Sequence, residues 1–355
     1  MKYKPDWDDA RERLTALWKG EVRDRPCIAV TAPSGKPATP PSAPSDPRNK
    51  WLDPGWVLAD ITARLESTWW GGEAVPSYLL LGGWVLCLGG TPRFDMRTIW
   101  FETRETDFAR PSPFRYRDGD PWVEAHERLY RAVADLAGKD DFQVGRPCAL
   151  PANDLLSMQM GTEAFLLGLL DHPDWMREAI ATGAREQLDV RLRLRDLIRE
   201  RHDLWYGNGG WMPFWTPEPY LGTQSDVSCM LSPEMFERFV LPEIDIYGSA
   251  YGALWYHLDG GDARQHLPRL LSLPYLRVMQ YVPAPGEPPN GPGHLDLYRE
   301  IQKAGRIVHM QVPKENVEPL VRELDPALLM LQTRCASVGE GEALLEAAKR
   351  WMQRS

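Results

Sequence analysis

The strongest constraint on this chain is an alternation. From Phe142 to the C-terminus, short runs with strand character are separated by stretches with helical spacing. Phe142–Leu150, Leu204–Gly207, Leu254–Leu258, Leu276–Val282, Arg306–Val312 and Leu328–Thr333 read as strands. Thr162–Arg201 (broken near His172-Pro173), Ser232–Tyr251, Ala263–Leu271, Leu295–Ala304, Val317–Leu324 and Gly341–Trp351 read as helices. Strands that alternate with helices form parallel βαβ units. Upstream, Cys27–Pro33 and Ser77–Leu88 are strand-like, while Asp8–Lys19, Pro54–Trp70 and Trp122–Ala137 are helical. Eight strands result, and eight βα units closing on themselves predict a (β/α)8 TIM barrel. All 355 residues then form one domain, with an N-terminal helical extension and a Pro-rich loop near residues 33–50. An open doubly wound sheet is the competing fold. No G-x-G-x-x-G follows the first strand and no G-x-x-x-x-G-K-[ST] occurs.

Charge and composition exclude some functions. The net charge is −9, so the chain lacks the basic footprint of a nucleic-acid binder. No apolar run approaches the roughly 20 residues that span a bilayer, and MKYKPDWDDARERL has no apolar signal core. The five cysteines (Cys27, Cys87, Cys148, Cys229, Cys335) are widely spaced with no C-x-x-C pair. A cytoplasmic protein without a disulfide framework is expected.

In a TIM barrel the active site lies at the C-terminal ends of the strands. His257 and Asp259 lie on the same side of an extended segment, because side chains alternate with period two. Cys335 follows the last strand. An imidazole, a carboxylate and a thiol converging on one mouth make a zinc site with an open position. In the alternative reading, His257 and Asp259 bond to each other or to loop backbone, and Cys335 is a small buried residue.

The stretch Asp226–Gly260, DVSCMLSPEMFERFVLPEIDIYGSAYGALWYHLDG, resembles the uroporphyrinogen decarboxylase superfamily, and Asn153–Ile180 resembles its helix pair. The resemblance runs from about residue 140 onward and implies a TIM barrel. The decarboxylase branch needs no cofactor and carries an R-Q-A-G-R loop after the first strand. Here that position reads TAPSGKP and has no arginine. The cobalamin-dependent methyltransferase branch binds zinc through H-x-C after strand five and a Cys after strand eight. This chain keeps His257 and Cys335 and has Asp259 as the middle residue. The resemblance therefore implies zinc on His257, Asp259 and Cys335, and methyl transfer between a small substrate and a corrinoid carried by a partner protein. A carboxylate in place of a thiolate makes the metal a harder Lewis acid. Such a site suits an alcohol, a phenol or water as well as a thiol.

Other residues complete the expected site. Trp211, Phe214 and Trp215, in a Gly/Pro-rich loop, are read as an aromatic platform over the mouth, or else as a loop packed on its own aromatics. Gln224 and Asp226 precede the LSPEMF helix, where they contact substrate or cap the helix. His309 and Gln311 share one side of the seventh strand, and Gln280 ends the sixth. Glu287 is a candidate general acid or a solvated loop charge, and Arg334 a candidate anion ligand. Asp226, His309 and Glu287 are thus the catalytic candidates, and the others the substrate-binding ones. The competing functions are a metal-free lyase of the decarboxylase type, a small-molecule binding protein, and a glycoside hydrolase. Only Asp259 is well placed among the two carboxylates the last requires. A homodimer is compatible with every reading.

Overall fold

The computed structural model describes residues 1–145, 149–199 and 212–352. Its strands are β1 (Cys27–Pro33), β2 (Thr68–Gly72), β3 (Ser77–Tyr78), β4 (Pro92–Phe94), β5 (Ile99–Phe101), β6 (Gln143–Val144), β7 (Leu221–Gln224), β8 (Leu254–Asp259), β9 (Leu276–Val282), β10 (Ile307–Gln311) and β11 (Leu329–Arg334). Seven form one sheet in the order β2-β1-β11-β10-β9-β8-β7. β1 and β7 to β11 run parallel, and β2 pairs antiparallel with β1. Helices follow the parallel strands, among them Leu241–Tyr251, Leu295–Lys303, Val317–Glu323 and Val338–Trp351. The fold is mixed α/β on a parallel sheet, as the alternation requires. No helix among the described residues is long and apolar enough to cross a membrane.

Period two divides every central strand between two cores. Leu254, Tyr256 and Leu258 of β8 pack with Met279, Tyr281, Val308, Met310, Leu329 and Leu331 against the helices. Trp255 of β8 packs on the opposite face with Val278, Ile307, Met330 and Ala29. The first helix, Trp7–Trp18, covers that second face with Trp7, Leu14, Leu17 and Trp18. Further toward the strands' C-terminal ends, this alternation presents Gln224, His257, Asp259, Gln280, Gln311, Gln332 and Arg334 on the second face. The face is therefore apolar at its base and polar at its rim.

Several boundaries differ from the sequence reading. The helix expected over Pro54–Trp70 ends at Ser67, and Thr68-Trp69-Trp70 enters β2. Gly72 (φ +58°) makes this pairing close, since a Cβ there would lie 2.2 Å from the Ile28 carbonyl oxygen. The strand expected over Ser77–Leu88 shrinks to β3 and a 3-10 turn, Leu81–Val85. Gly82 sits where a Cβ would be 2.4 Å from the Trp51 carbonyl oxygen, so the chain turns against its neighbour instead of extending. Among the described residues of Phe142–Leu150 the strand is β6, which pairs with β3 apart from the main sheet. Leu204–Gly207 and Trp211 lie outside the described residues. β7, beside β8, went unnoticed in the sequence because four residues containing a glycine carry little strand signal.

Phe214 and Trp215 correct the mouth-platform reading. Both are buried on the apolar base of the second face, with Tyr220, Trp255 and the first helix. Trp215 meets Trp7 edge-on at 5.5 Å between ring centroids. Their loop leads into the N-terminal end of β7, so it fills the floor. His309 sits in the same layer, fully buried, its Nδ1 accepting from Trp255 Nε1 at 2.9 Å and its ring 5.3 Å from Phe214. It is a core histidine, and no hydrogen-bond partner for its Nε2 occurs among the described residues.

Two predictions follow from this packing. Phe214→Ala is expected to destabilise the fold by about 3–5 kcal/mol, measured by urea unfolding, because a fully buried ring leaves a cavity. Burial also lowers the pKa of His309 to about 3 and that of His126 to about 4. Between pH 6.5 and those values the unfolded chain binds protons that the folded chain refuses, so stability falls as pH drops. From pH 7 to pH 5 each histidine is expected to remove about 2 kcal/mol. A His126→Phe/His309→Phe variant should lose correspondingly less stability over that interval, whatever its absolute stability at pH 7.

Candidate functional site

At the C-terminal edge of β7 and β8, donor atoms of Asp226, His257 and Asp259 all lie within 4.8 Å of one another. β8 places two of them. His257 and Asp259 share the second face, and His257 Nε2 is 3.9 Å from Asp259 Oδ1. The third comes from the 3-10 turn Asp226–Met230, which follows β7 directly. Gln224 stands opposite His257 in the β7–β8 register, so the turn begins beside the imidazole.

The orientation of His257 is set from β9. Gln280 donates through Nε2 to the Tyr281 carbonyl at 2.9 Å, which directs its Oε1 to His257 Nδ1 at 2.5 Å. Nδ1 then carries the proton, and the Nε2 lone pair faces Asp226 and Asp259. Metal-binding histidines are commonly held in this way. Burial lowers the His257 pKa, opposed by the Gln280 bond and the Asp259 charge, so the ring favours its neutral, ligating form.

A fourth group belongs to the same network. Asp154, buried on the helix Ala152–Met160, accepts from Val227 N–H at 3.2 Å through Oδ1. Gln224 Nε2 donates to Asp154 Oδ2 at 3.3 Å and to Asp226 Oδ2 at 2.8 Å, bridging the two carboxylates. Burial, and then the neighbouring Asp226 charge, raises the Asp154 pKa well above the usual carboxylate range. Desolvation and then the Asp259 charge raise that of Asp226. The network thus retains a proton where solvated carboxylates would have lost theirs.

The LSPEMFERFVLPE stretch supplies the support. Glu243, its last residue, is buried and accepts from the backbone N–H groups of Ala152 (2.5 Å) and Asn153 (3.0 Å), from Asn153 Nδ2 (2.7 Å) and from the Tyr247 hydroxyl (2.8 Å). It therefore holds the N-terminus of the helix that carries Asp154. Phe236 of the same stretch stacks on His266 at 4.3 Å, and His266 Nε2 bonds the Ser228 carbonyl at 2.9 Å in the Asp226 turn. Sequence reading passed over Asp154 and Glu243. The available signal was an acid within the apolar NDLLSM stretch, and a glutamate whose neighbours are otherwise apolar.

The remaining candidates lie elsewhere. Cys335 is outside the donor cluster: it is buried in the core between sheet and helices, and its backbone N–H donates to the Thr31 carbonyl at 2.8 Å. Glu287 organises its own loop, accepting from the Tyr281 hydroxyl (2.8 Å) and Ala284 N–H (2.7 Å). Its Oε1 also fills the space beside Gly261, where a Cβ would be 2.5 Å away. Gln311 and Arg334 line a 240 Å³ cavity beside β1. Asp154, Gln224, Asp226 and His257 line another of 460 Å³, whose apolar wall includes Leu81, Trp84, Leu150 and Met230.

Comparison with known proteins gives one line of likeness. No protein-family profile matches the chain, and no curated protein matches it. Its fold is similar to that of a methyltransferase from Methanosarcina mazei, with a TM-score of 0.55 over 96% of this chain and 98% of that one, at 14% identity.

Proposed function

We propose that this chain is a zinc-dependent methyltransferase that moves a methyl group between a small substrate and a corrinoid, on a (β/α)8 barrel of the uroporphyrinogen decarboxylase type. The convergence of Asp226, His257 and Asp259 within 4.8 Å carries the reading. The fold likeness to a methyltransferase supports it. The corrinoid, carried by a partner protein, rests on the resemblance of Asp226–Gly260 to the methyltransferase branch. The ligands on this reading are His257, Asp259 and Asp226, with Asp226 in the place expected for Cys335. One imidazole and two carboxylates suit zinc and leave a coordination position for a substrate. When bound, zinc supplies Lewis acidity that lowers the pKa of a hydroxyl or thiol presented to it.

The chain's own groups do the remaining work. Gln280 fixes the His257 tautomer. Gln224 holds the Asp226 carboxylate in place while bonding Asp154. Asp154, whose pKa burial and the Asp226 charge raise, would be the group that returns a proton to the substrate's heteroatom when it gives up a methyl group. Leu81, Trp84 and Met230 give the adjoining space an apolar wall.

Elemental analysis and calorimetric zinc titration test this reading. One zinc per chain is expected in the native protein. His257→Ala and Asp226→Asn should abolish stoichiometric binding, Gln280→Leu should weaken it about 10–100-fold, and Cys335→Ser should leave it intact. A native protein that takes up no zinc, or one that loses zinc through Cys335→Ser but not Asp226→Asn, overturns the assignment.

A further inference from the structure

A further cavity stands apart from the acidic one. It measures 660 Å³ and lies beside β1, β2 and β3, with Arg334 of β11 on its wall. Its charge opposes that of the whole protein: Lys50, Arg64, Arg97 and Arg334 line it and no Asp or Glu does, in a chain whose net charge is −9. Arg64 is partly neutralised by Asp60 at 2.9 Å. Lys50 donates to a neutral acceptor, the Met96 carbonyl, and lies 4.6 Å over the Trp51 ring. No carboxylate lies within ion-pair distance of the Arg97 or Arg334 guanidinium among the described residues. Between these cations the wall is aromatic and aliphatic, with Trp51, Trp70, Tyr78 and Leu80.

Fixed positive charge without counter-charge, beside apolar walls, selects an anion with an apolar body. The cavity also adjoins the reactive end, because Leu81 lines both it and the space that holds Asp226 and His257. β11 and β8 are separated by β10 and β9. Three strand spacings of about 4.8 Å separate them laterally, and Arg334 lies four residues further along β11 than Met330, the residue level with His257, so a ligand reaching from Arg334 to His257 spans about 20 Å.

We propose that this cavity is the recognition subsite for the anionic end of the substrate, a carboxylate, phosphonate or sulfonate held by Arg334 and Arg97, with its apolar body along Trp51 and Trp70. The inference rests on the reading of the Asp226–His257–Asp259 cluster as the reacting end, but the anion subsite itself is tested without metal. The probes are benzoate, phenylphosphonate and benzenesulfonate, with benzamide as the uncharged isostere of benzoate, titrated by calorimetry and tryptophan fluorescence into the metal-free full chain. At least one anion is expected to bind tenfold or more tightly than benzamide, and the preferred one identifies the headgroup. Arg334→Met and Arg97→Met should each weaken it about tenfold, Arg334→Lys should restore part of the loss, and the double variant should bind it no better than benzamide. Both arginines are exposed, so these variants are expected to fold. His257→Ala should leave anion binding unchanged while removing zinc, which separates failure of the metal reading from failure of this one. Binding of all three anions no tighter than that of benzamide, or undiminished anion binding in the double arginine variant, overturns the proposal. So does anion binding that disappears with His257 and not with the arginines.

Discussion

Period-two alternation in the parallel strands is the constraint on which the rest depends. In β8 the order Leu254, Trp255, Tyr256, His257, Leu258, Asp259 sends even positions to the helices and odd positions to the opposite face. The helix-facing set is apolar throughout. The other set passes from tryptophan to histidine to aspartate within one strand. A one-residue slip in register would bury Asp259 under helices and expose Leu258, so hydrophobic burial fixes where the chemistry can occur. β9, β10 and β11 repeat the gradient, with Val278 before Gln280, Ile307 before Gln311, and Met330 before Gln332 and Arg334. The polar rim at the C-terminal edge is a consequence of packing.

Within that rim, several carboxylates are crowded together at a cost that the surrounding donors offset in part. Asp154 loses hydration by burial and faces the Asp226 charge, yet it gains bonds from Val227 N–H and Gln224. Without Glu243, the N-terminal amides of the helix bearing Asp154 would be buried without partners. The LSPEMFERFVLPE segment is thus linked to the site without contributing a reacting group. Its glutamate holds one acid's helix, and its Phe236 braces the turn of the other.

Much of this was legible from residue types and spacing. The parallel strands from Leu254 onward have clear apolar runs, and H-x-D at the end of one of them pointed to the cluster. Other features depend on contacts between distant segments. The Cys335 thiol follows the last strand, as expected for a ligand, but the backbone bond to Thr31 accompanies a side chain turned into the apolar core. Asp226, read as a cap or substrate contact, reaches the histidine because β7 is a strand. Four residues of LGTQ do not announce that. Phe214 and Trp215 look like loop aromatics until the tertiary fold places them beneath the sheet's second face, against the first helix more than 190 residues away in sequence.

The charges of the molecule are sorted by strand. Acids collect at the ends of β7 and β8, where an imidazole stands among them, and Arg64, Arg97 and Arg334 collect around the cavity beside β1. Oppositely charged groups left apart, when they could have paired, carry unspent Coulomb energy. In an exposed setting that energy is small and screened. Arg97, Arg334, Asp226 and Asp259 are exposed, so the separation acts as a field along the rim that favours a cation at one end and an anion at the other. A rim divided in this way can fix the direction of an elongated substrate before any bond changes, because reversing the ligand would bring its anion to the carboxylates.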